Sequence, residues 1–354
     1  MGKKKDSLEL YFHIPFCIKK CDYCDFLSGP ATRAGQEAYI YALLREMKAV
    51  SAIEKRTVDT VFIGGGTPSV PECGIMEKLL QGIGKNFQLA ADAEVTIEAN
   101  PGTLTPEKLA LYRRYGINRI SIGLQSPENQ ELRALGRIHN YQQFLESYHM
   151  AREAGFSNIN IDLMFAIPGQ SYEGWIQNLR TVAKLGPEHI SAYSLIIEEG
   201  TPFSARKLDL PDEDTEYRMY EDVAAVLGKY GYYQYEISNY AKKDRNCRHN
   251  EGYWQRKDYL GLGLGAASLV GRERFTNTSD MSEYLENSGN LEKIRTDRET
   301  LTREDEMGEF MFLGLRMTKG VSKKDFQEYF GTSIEKIYGE VLEKYKKQGL
   351  LLEE

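Results

Sequence analysis

Residues 10–26 read L-Y-F-H-I-P-F-C-I-K-K-C-D-Y-C-D-F, and this stretch sets Cys17, Cys21 and Cys24 at the spacing C-x3-C-x2-C. It holds three of the five cysteines of the 354-residue chain, and the other two stand alone in the sequence. An odd number of cysteines grouped in this way does not form a disulfide framework. The three thiols therefore fit a reducing compartment, where clustered cysteines serve as metal ligands.

The three thiols allow more than one kind of metal centre. A structural zinc site needs a fourth ligand, which only a distant part of the chain offers here, and a chance grouping is a further alternative. Three closely spaced thiolates can instead hold three irons of a [4Fe–4S] cube and leave the fourth iron open. That iron can chelate the amine and carboxylate of S-adenosylmethionine (SAM), a source of radical chemistry. We therefore predict a [4Fe–4S] cluster on Cys17, Cys21 and Cys24, with SAM on the open iron.

The composition is that of an ordinary globular protein, with 41% hydrophobic and 27% charged residues. A net charge of −7 argues against nucleic acid as a partner. The chain starts M-G-K-K-K-D, which is no signal peptide, and no run approaches the roughly 18 apolar residues of a membrane span. We expect a cytoplasmic protein without a transmembrane segment, which leaves room for transient contact with a membrane surface.

Segments of strand character alternate with helical segments in the first part of the chain. The predicted strands cover residues 8–14, 58–63, 94–99, 118–124, 157–165 and 189–197. Such alternation predicts βαβ units and a parallel sheet, hence an α/β fold. The polar and glycine-bearing motifs all follow strand ends, which form the catalytic face when such a sheet curls into a barrel.

The character of the sequence changes after residue 211, and we divide the chain into residues 1–211, 212–290 and 291–354. The middle part contains a polar segment, 245–254, expected to be a loop. It also contains a glycine-rich segment, 259–270, which mimics a dinucleotide-binding fingerprint outside any βαβ unit. We reject a nicotinamide cofactor and expect this segment to pack over the mouth of the barrel. The last part is helical.

The pattern Y-F-H-I-P-F-C-x3-C-x-Y-C resembles the cluster loop of radical SAM proteins, and its wording resembles oxygen-independent coproporphyrinogen III oxidase and its relatives. The resemblance runs from Tyr11 into the tail. It implies a partial (β/α)6 TIM-like barrel, followed by a smaller C-terminal α+β domain with a winged-helix-like tail. Phe26 stands where the oxidases carry a fourth cysteine, and only ten residues precede Tyr11, where they have a longer extension. In both features the chain resembles the haem-chaperone subgroup of this family.

The resemblance also implies a set of SAM contacts. The segment G-G-G-T-P at residues 64–68 follows a strand, where glycines let a ligand approach the backbone, although a plain tight turn is the alternative. Asp162 lies in an apolar run, where an unpaired charge is costly, and Arg137 offers a fork for a carboxylate. Whether a second SAM binds, as in the oxidase, stays open. The SAM-contacting positions implied by the resemblance are Tyr11, Tyr23, Gly65, Gly66, Thr67, Glu98, Gln125, Arg137, Asp162, Ile196 and Ala267.

Residues 249–254 read H-N-E-G-Y-W and follow Cys247 closely. An imidazole beside two large aromatic rings and a thiol can hold haem. The alternative is a plain loop that Trp254 packs against the barrel. The motif H-N-x-x-Y-W resembles a mark of the haem-chaperone subgroup. We therefore predict haem contacts at this segment, with His249 as the first of them. The predicted haem contacts are His249, Asn250, Tyr253 and Trp254.

The resemblance implies a haem chaperone that passes haem to haem-dependent partners such as respiratory enzymes. A reductant would supply the cluster with the electron that cleaves SAM to a 5′-deoxyadenosyl radical, if that chemistry occurs at all. We assign no catalytic residue. The first alternative is an oxygen-independent coproporphyrinogen III oxidase, which decarboxylates the propionates of its substrate with the same radical. The second is radical SAM chemistry on another tetrapyrrole or on an unrelated substrate.

Overall fold

A computed structural model describes residues 7–353. All six predicted strands of the first part are present, and each is parallel to its neighbours in chain order. The predicted parallel sheet and α/β class are thereby confirmed. The strands are β1 (Ser7–Ile14), β2 (Thr57–Gly65), β3 (Leu89–Ala99), β4 (Arg119–Gln125), β5 (Ile159–Phe165) and β6 (His189–Ser194).

Helices connect these strands and cover one face of the sheet with apolar side chains. Local capping defines several of their starts: the side chain of Thr105 accepts from the amide of Lys108, with Pro106 at the first turn, as the sequence indicates. The helices are α1 (Arg33–Ile53), α2 (Cys73–Asn86), α3 (Pro106–Arg114), α4 (Asn129–Ala134), α5 (Tyr141–Glu153) and α6 (Tyr172–Leu185).

The middle part of the chain extends this sheet. β8 pairs antiparallel with β6, and β9 pairs parallel with β1, so the twelve described strands run in the order β12-β11-β10-β9-β1-β2-β3-β4-β5-β6-β8-β7. The elements are α7 (Glu213–Gly228), β7 (Tyr233–Glu236), β8 (Asn239–Ala241), α8 (Arg248–Trp254), β9 (Tyr259–Leu262), β10 (Ala267–Val270), β11 (Glu273–Asn277), α9 (Met281–Asn287), α10 (Leu291–Ile294) and β12 (Arg295–Thr300).

Two expectations for this middle part are wrong. The polar segment 245–254 is not a loop, because α8 occupies most of it. The glycine-rich segment does not lie across the barrel mouth; it forms β9 and β10, which continue the sheet beside β1. Gly263 and Gly265, both with positive φ, make the turn between those strands.

The C-terminal helices α11 (Arg303–Gly314), α12 (Lys323–Phe330) and α13 (Ile334–Lys347) have a small core of their own. Met307, Phe326, Phe330 and Ile334 are buried in it. Gly331, in a left-handed conformation, ends α12, whereas α13 runs through Gly339 without a break. The division of the chain at residues 211 and 290 stays a prediction.

Across residues 7–353, β1 and β6 do not pair with each other, so the six parallel strands do not close into a complete barrel. Along β4, Ile120, Ile122 and Leu124 face the helices and join the main core, whereas Arg119 and Ser121 face the interior of the barrel. That interior is polar, unlike the packed apolar centre of a closed TIM barrel. No described helix has the length and apolar character needed to cross a membrane.

Candidate functional site

The cysteine stretch forms a loop at the carboxyl end of β1. The amide of Cys17 donates to the carbonyl oxygen of Gly29 at 2.9 Å, and the amide of Gly29 donates to Pro15 at 3.0 Å, which closes the neck of the loop. Phe16 anchors the loop in the core against the edge of Tyr39. The strand end and this neck together hold the three cysteines at the C-terminal face of the sheet.

All three thiols of the loop are free and partly exposed. The Cys17 Sγ lies 3.5 Å from the Thr67 hydroxyl, and an Arg137 Nη1 lies 3.5 Å from the Cys21 Sγ. Burial raises the pKa of the Cys24 thiol. Within the described part of the chain, no three metal-ligating side chains converge on one ion position. A cubane takes one thiolate per iron, so its three ligands lie apart, and the donor set fits the cluster.

The G-G-G-T-P segment follows β2 and packs directly against the cysteine loop. The amide of Gly66 donates to Ile14, and that of Thr67 donates to Phe16. A Cβ on Gly66 would lie 2.8 Å from the Phe16 carbonyl oxygen, so only glycine permits this approach. With these amides occupied, the segment offers carbonyl oxygens, and an ammonium group is the ligand that such acceptors suit.

Two carboxylates lie on β3 and β5, Glu98 near the end of its strand and Asp162 in the middle of its strand. Glu98 accepts from the amide of Gly65 at 3.1 Å, and Asp162 accepts from Ser121 and Asn160 at 3.0 and 2.7 Å. Burial, followed by the charge of Asp162, raises the pKa of Glu98 to about 8. Burial likewise raises the pKa of Asp162. Both groups are thus held where a hydroxyl- or ammonium-bearing ligand can contact them.

Arg137 connects the cysteine loop with the strand ends. Its Nη2 donates to Asn100 and to the Gly123 carbonyl oxygen, each at 2.6 Å. Tyr23 hydrogen-bonds to the same guanidinium from within the loop and rests against Phe203. Part of the fork, the Nε, has no hydrogen-bond partner and remains available to a ligand.

The remaining SAM positions spread around this face. Gln125 ends β4 with φ of +71°, a strained conformation for a residue that is not glycine. Ala267 begins β10, where its carbonyl oxygen lies close to Gly261 of β9, and Ile196 lies beyond the end of β6 with 67% of its surface exposed. Phe26, the residue in place of a fourth cysteine, is 60% exposed on the loop itself. The face therefore has an apolar rim.

The H-N-x-x-Y-W segment is the helix α8, and it enters the barrel interior. The Glu94 carboxylate on β3 accepts from the amides of Arg248 and His249 at 3.1 and 3.2 Å and so holds the start of the helix. The His249 ring stacks on Phe62 of β2. Trp254, at the other end, points elsewhere, because its ring lies under the Arg316 guanidinium.

His249 has both ring nitrogens engaged. Nδ1 lies 2.7 Å from the Thr60 hydroxyl and Nε2 lies 3.0 Å from the Tyr253 hydroxyl, with 1% of the residue exposed. Burial lowers its pKa to about 3, so the ring is neutral and the 3.9 Å approach to Glu9 is no ion pair. An iron could reach this histidine only after α8 moves. Iron ligation by His249 therefore stays a prediction, and it requires a movement of α8.

A cavity of about 230 Å³, here called the barrel cavity, joins the predicted SAM and haem residues. Its lining includes Tyr11, Glu98, Asp162, His249, Asn250 and Tyr253. The cavity thus brings three of the predicted SAM residues together with three of the predicted haem residues. The other predicted residues lie outside its lining: Tyr23, Gly65, Gly66, Thr67, Gln125, Arg137, Ile196, Ala267 and Trp254.

Sequence reasoning missed two charged residues of the interior, Arg119 and Glu9. Arg119 lines the barrel cavity, and Glu9 lies beneath α8 on β1. Both alternate with apolar residues along their strands, and that alternation was the available signal, because a charged residue inside an otherwise apolar strand needs a partner.

Comparison with known proteins agrees with this geometry. The model of the radical SAM superfamily matches residues 11–182, and that of the HemN C-terminal domain matches residues 301–354. The structure of coproporphyrinogen III oxidase (HemN) from Escherichia coli superposes with a TM-score of 0.87 at 24% identity, covering 98% of this chain and 84% of that one. That likeness shows the fold. The chain is a radical SAM protein, and the family implies a [4Fe–4S] cluster and SAM as its cofactors.

Two curated relatives narrow the family further. Heme chaperone HemW of Bacillus subtilis (strain 168) is 37% identical over 347 residues, which cover 96% of this chain and 92% of that protein. Heme chaperone HemW of Escherichia coli (strain K12) is 38% identical over 340 residues, with coverage of 93% and 87%. The chain belongs to the HemW family of radical SAM proteins.

Proposed function

We propose that this protein is a haem chaperone of the cytoplasm, which binds haem and delivers it to haem-dependent proteins such as respiratory enzymes. The observation that carries the proposal is its similarity, over nearly its whole length, to proteins named heme chaperone HemW. Phe26 in place of the oxidases' fourth cysteine and the H-N-x-x-Y-W segment support the same choice.

The residues of the C-terminal face have defined tasks in this proposal. Cys17, Cys21 and Cys24 hold the cluster, which supplies an electron for the reductive cleavage of SAM when both are bound. The backbone of Gly65, Gly66 and Thr67 receives the amine of SAM. The Arg137 fork orients its carboxylate, while Glu98 and Asp162 accept hydrogen bonds from hydroxyl groups of the same ligand.

Haem meets the apolar rim of this face in the proposal. A macrocycle needs apolar surface, and Phe26 and Ile196 expose it beside the cysteine loop, where Lys19 and Lys20 offer positive charge to propionates. His249, Asn250 and Tyr253 lie beneath the rim in the barrel cavity. The haem acceptor and the reductant of the cluster are protein partners of this face.

The test is anaerobic reconstitution with iron and sulfide, followed by haem titration and an assay of coproporphyrinogen III turnover on the same sample. We expect stoichiometric haem binding, haem transfer to an apo-haem protein and no decarboxylation. His249→Ala should weaken haem binding by about tenfold, the equivalent of roughly 1.4 kcal/mol.

His149→Ala is the matched control, because His149 is exposed on α5 outside the barrel and its loss should leave haem affinity unchanged. Conversion of coproporphyrinogen III to protoporphyrinogen IX without specific haem uptake would replace the proposal by the oxidase. Equal haem affinities of the wild type and His249→Ala would remove the α8 segment from the binding site.

A further inference from the structure

We propose that the barrel cavity is a carboxylate-binding site centred on Arg119. The ligand group is a carboxylate carried by a haem propionate. The choice of haem rests on the proposed function, whereas the test of the site with free propionate does not. The H-N-x-x-Y-W segment then contacts its ligand through that carboxylate and not through iron.

Arg119 is buried and has an unused hydrogen-bond donor, two properties of a ligand-binding residue. The residue is 2% exposed, and its guanidinium Nε has no hydrogen-bond partner among residues 7–353. A buried guanidinium donor without a partner is strongly unfavourable, because it has lost its hydration without compensation. A carboxylate ligand restores that loss with two parallel hydrogen bonds.

The neighbouring carboxylates do not satisfy Arg119, because each already has other donors. Glu94 accepts from two amides at the start of α8, and Asp162 accepts from Ser121 and Asn160. Both act on the guanidinium only from beyond hydrogen-bond distance. The positive charge therefore remains directed at the barrel cavity, which it lines.

The remaining lining suits a small polar group. Asn250 of α8 offers an amide and Ser191 of β6 a hydroxyl, while His249 is neutral and already held. A volume of about 230 Å³ lies below the roughly 300–1,000 Å³ of sites that enclose a drug-sized ligand. The cavity thus takes one acidic arm of a tetrapyrrole and leaves the macrocycle outside.

The cavity is reached beside β6. Tyr193 lines it and is 38% exposed, so the cavity meets the surface at that strand, and the exposed Ile196 follows shortly after the strand ends. A macrocycle bound on the apolar rim can therefore extend a propionate into the cavity, past Tyr193 and toward Arg119.

The experiment compares the wild type with Arg119→Met and Arg119→Lys in three binding assays on reconstituted protein. Sodium propionate is tested for its effect on the melting temperature. Iron protoporphyrin IX and its dimethyl ester, presented in the same detergent, are titrated by absorbance. SAM binding is measured by equilibrium dialysis. Arg256→Met is the matched control, because Arg256 is also buried but pairs through Nη1 and Nε with Glu306 and Glu309 outside the cavity.

We expect propionate to stabilise the wild type and Arg256→Met but not Arg119→Met, with Arg119→Lys in between. Arg119→Met should bind the free acid about 10- to 100-fold more weakly and lose the preference for the acid over the ester. SAM affinity should stay unchanged, because the carboxylate of SAM is held by Arg137 and by the open iron of the cluster.

An unchanged affinity for haem, together with no propionate effect on the wild type, would overturn the carboxylate site. A wild type that binds no haem, but is stabilised by propionate in an Arg119-dependent way, would refute the chaperone function and leave the site standing. If Arg119→Met does not fold, Arg119→Lys and the propionate response of the wild type decide the matter.

Discussion

Glu9 carries its carboxylate buried under α8, with neither oxygen in a hydrogen bond. Burial raises its pKa to about 8; Lys257, 3.7 Å away, opposes the rise, and Glu94 and Asp59 add to it. His249 lies 3.9 Å from it but is neutral. The uncharged acid is thus the form that the folded interior tolerates best.

This carboxyl predicts a loss of stability as the pH rises. The folded pKa lies above the ordinary value of 4.5, so the folded state binds this proton more tightly than the unfolded state does. Its stabilisation is complete below pH 4.5 and is lost as the pH approaches 8. We expect Glu9→Gln to melt at a higher temperature than the wild type at pH 8 and at nearly the same temperature at pH 4.5. Thermal unfolding across this range measures the difference.

Glu340→Gln, which changes an exposed glutamate on α13, is the control and should follow the wild type at every pH. A constant offset between Glu9→Gln and the wild type from pH 4.5 to pH 8 would show that Glu9 does not titrate in this way.

Helix α8 occupies its place because of contacts made by distant strands. Its cap residue, Cys247, makes no side-chain capping bond, and the capping carboxylate comes from Glu94. Gly252 faces Glu9, and a Cβ there would overlap the carboxylate. The close approach of helix and strand therefore requires both the glycine and the position of Glu9.

Gly252→Ala tests that approach directly. We expect it to destabilise the protein by about 1–3 kcal/mol, as overpacking of a filled interior does, and to weaken ligand binding in the barrel cavity. Glu9→Ala removes the obstructing carboxylate, so the double variant should be more stable than the sum of the single effects. Urea unfolding of the four proteins gives the coupling. Strict additivity would show that the helix seats without contact between these two positions.

The strands and helices differ in how well the sequence alone could predict them. The six parallel strands were predictable because each has its own apolar run between turn residues. Helix α8 was not, because the carboxylate that caps it lies on β3, more than a hundred residues earlier in the chain. Arg119 and Glu9 were missed for a related reason: a charge inside a strand reveals its direction only when the facing residues are known.

The site residues also divide into those that a local sequence pattern predicts and those that it does not. The cysteine loop and the G-G-G-T-P segment are local in sequence, and their mutual contact follows from adjacent parallel strands. The convergence of α8 with β1, β3 and β4 in one cavity depends on a long connection that no local pattern encodes.

The packing of the entire chain leaves the cysteine loop as a thinly supported part. One large core runs through the sheet and its helices, and the C-terminal helices have a separate core. The loop rests mainly on a small third cluster, in which Leu135, Phe203 and Tyr23 meet. Lys19 and Lys20 of the cysteine loop are exposed. Such a segment opens locally at low free-energy cost unless its ligands join it.

Cluster binding should therefore protect this loop from proteolysis without changing the rest of the fold. Three thiolates on one cluster tie residues 17–24 together, so local opening becomes rare. We expect trypsin to cut after Lys19 and Lys20 at least about tenfold more slowly in reconstituted protein than in apo-protein, since tenfold corresponds to only roughly 1.4 kcal/mol. Cleavage after the exposed Lys319, between α11 and α12, serves as the internal reference and should not change. Cys21→Ser, treated with iron and sulfide in the same way, should stay unprotected. Equal cleavage of the loop with and without the cluster would mean that protein contacts alone hold it closed.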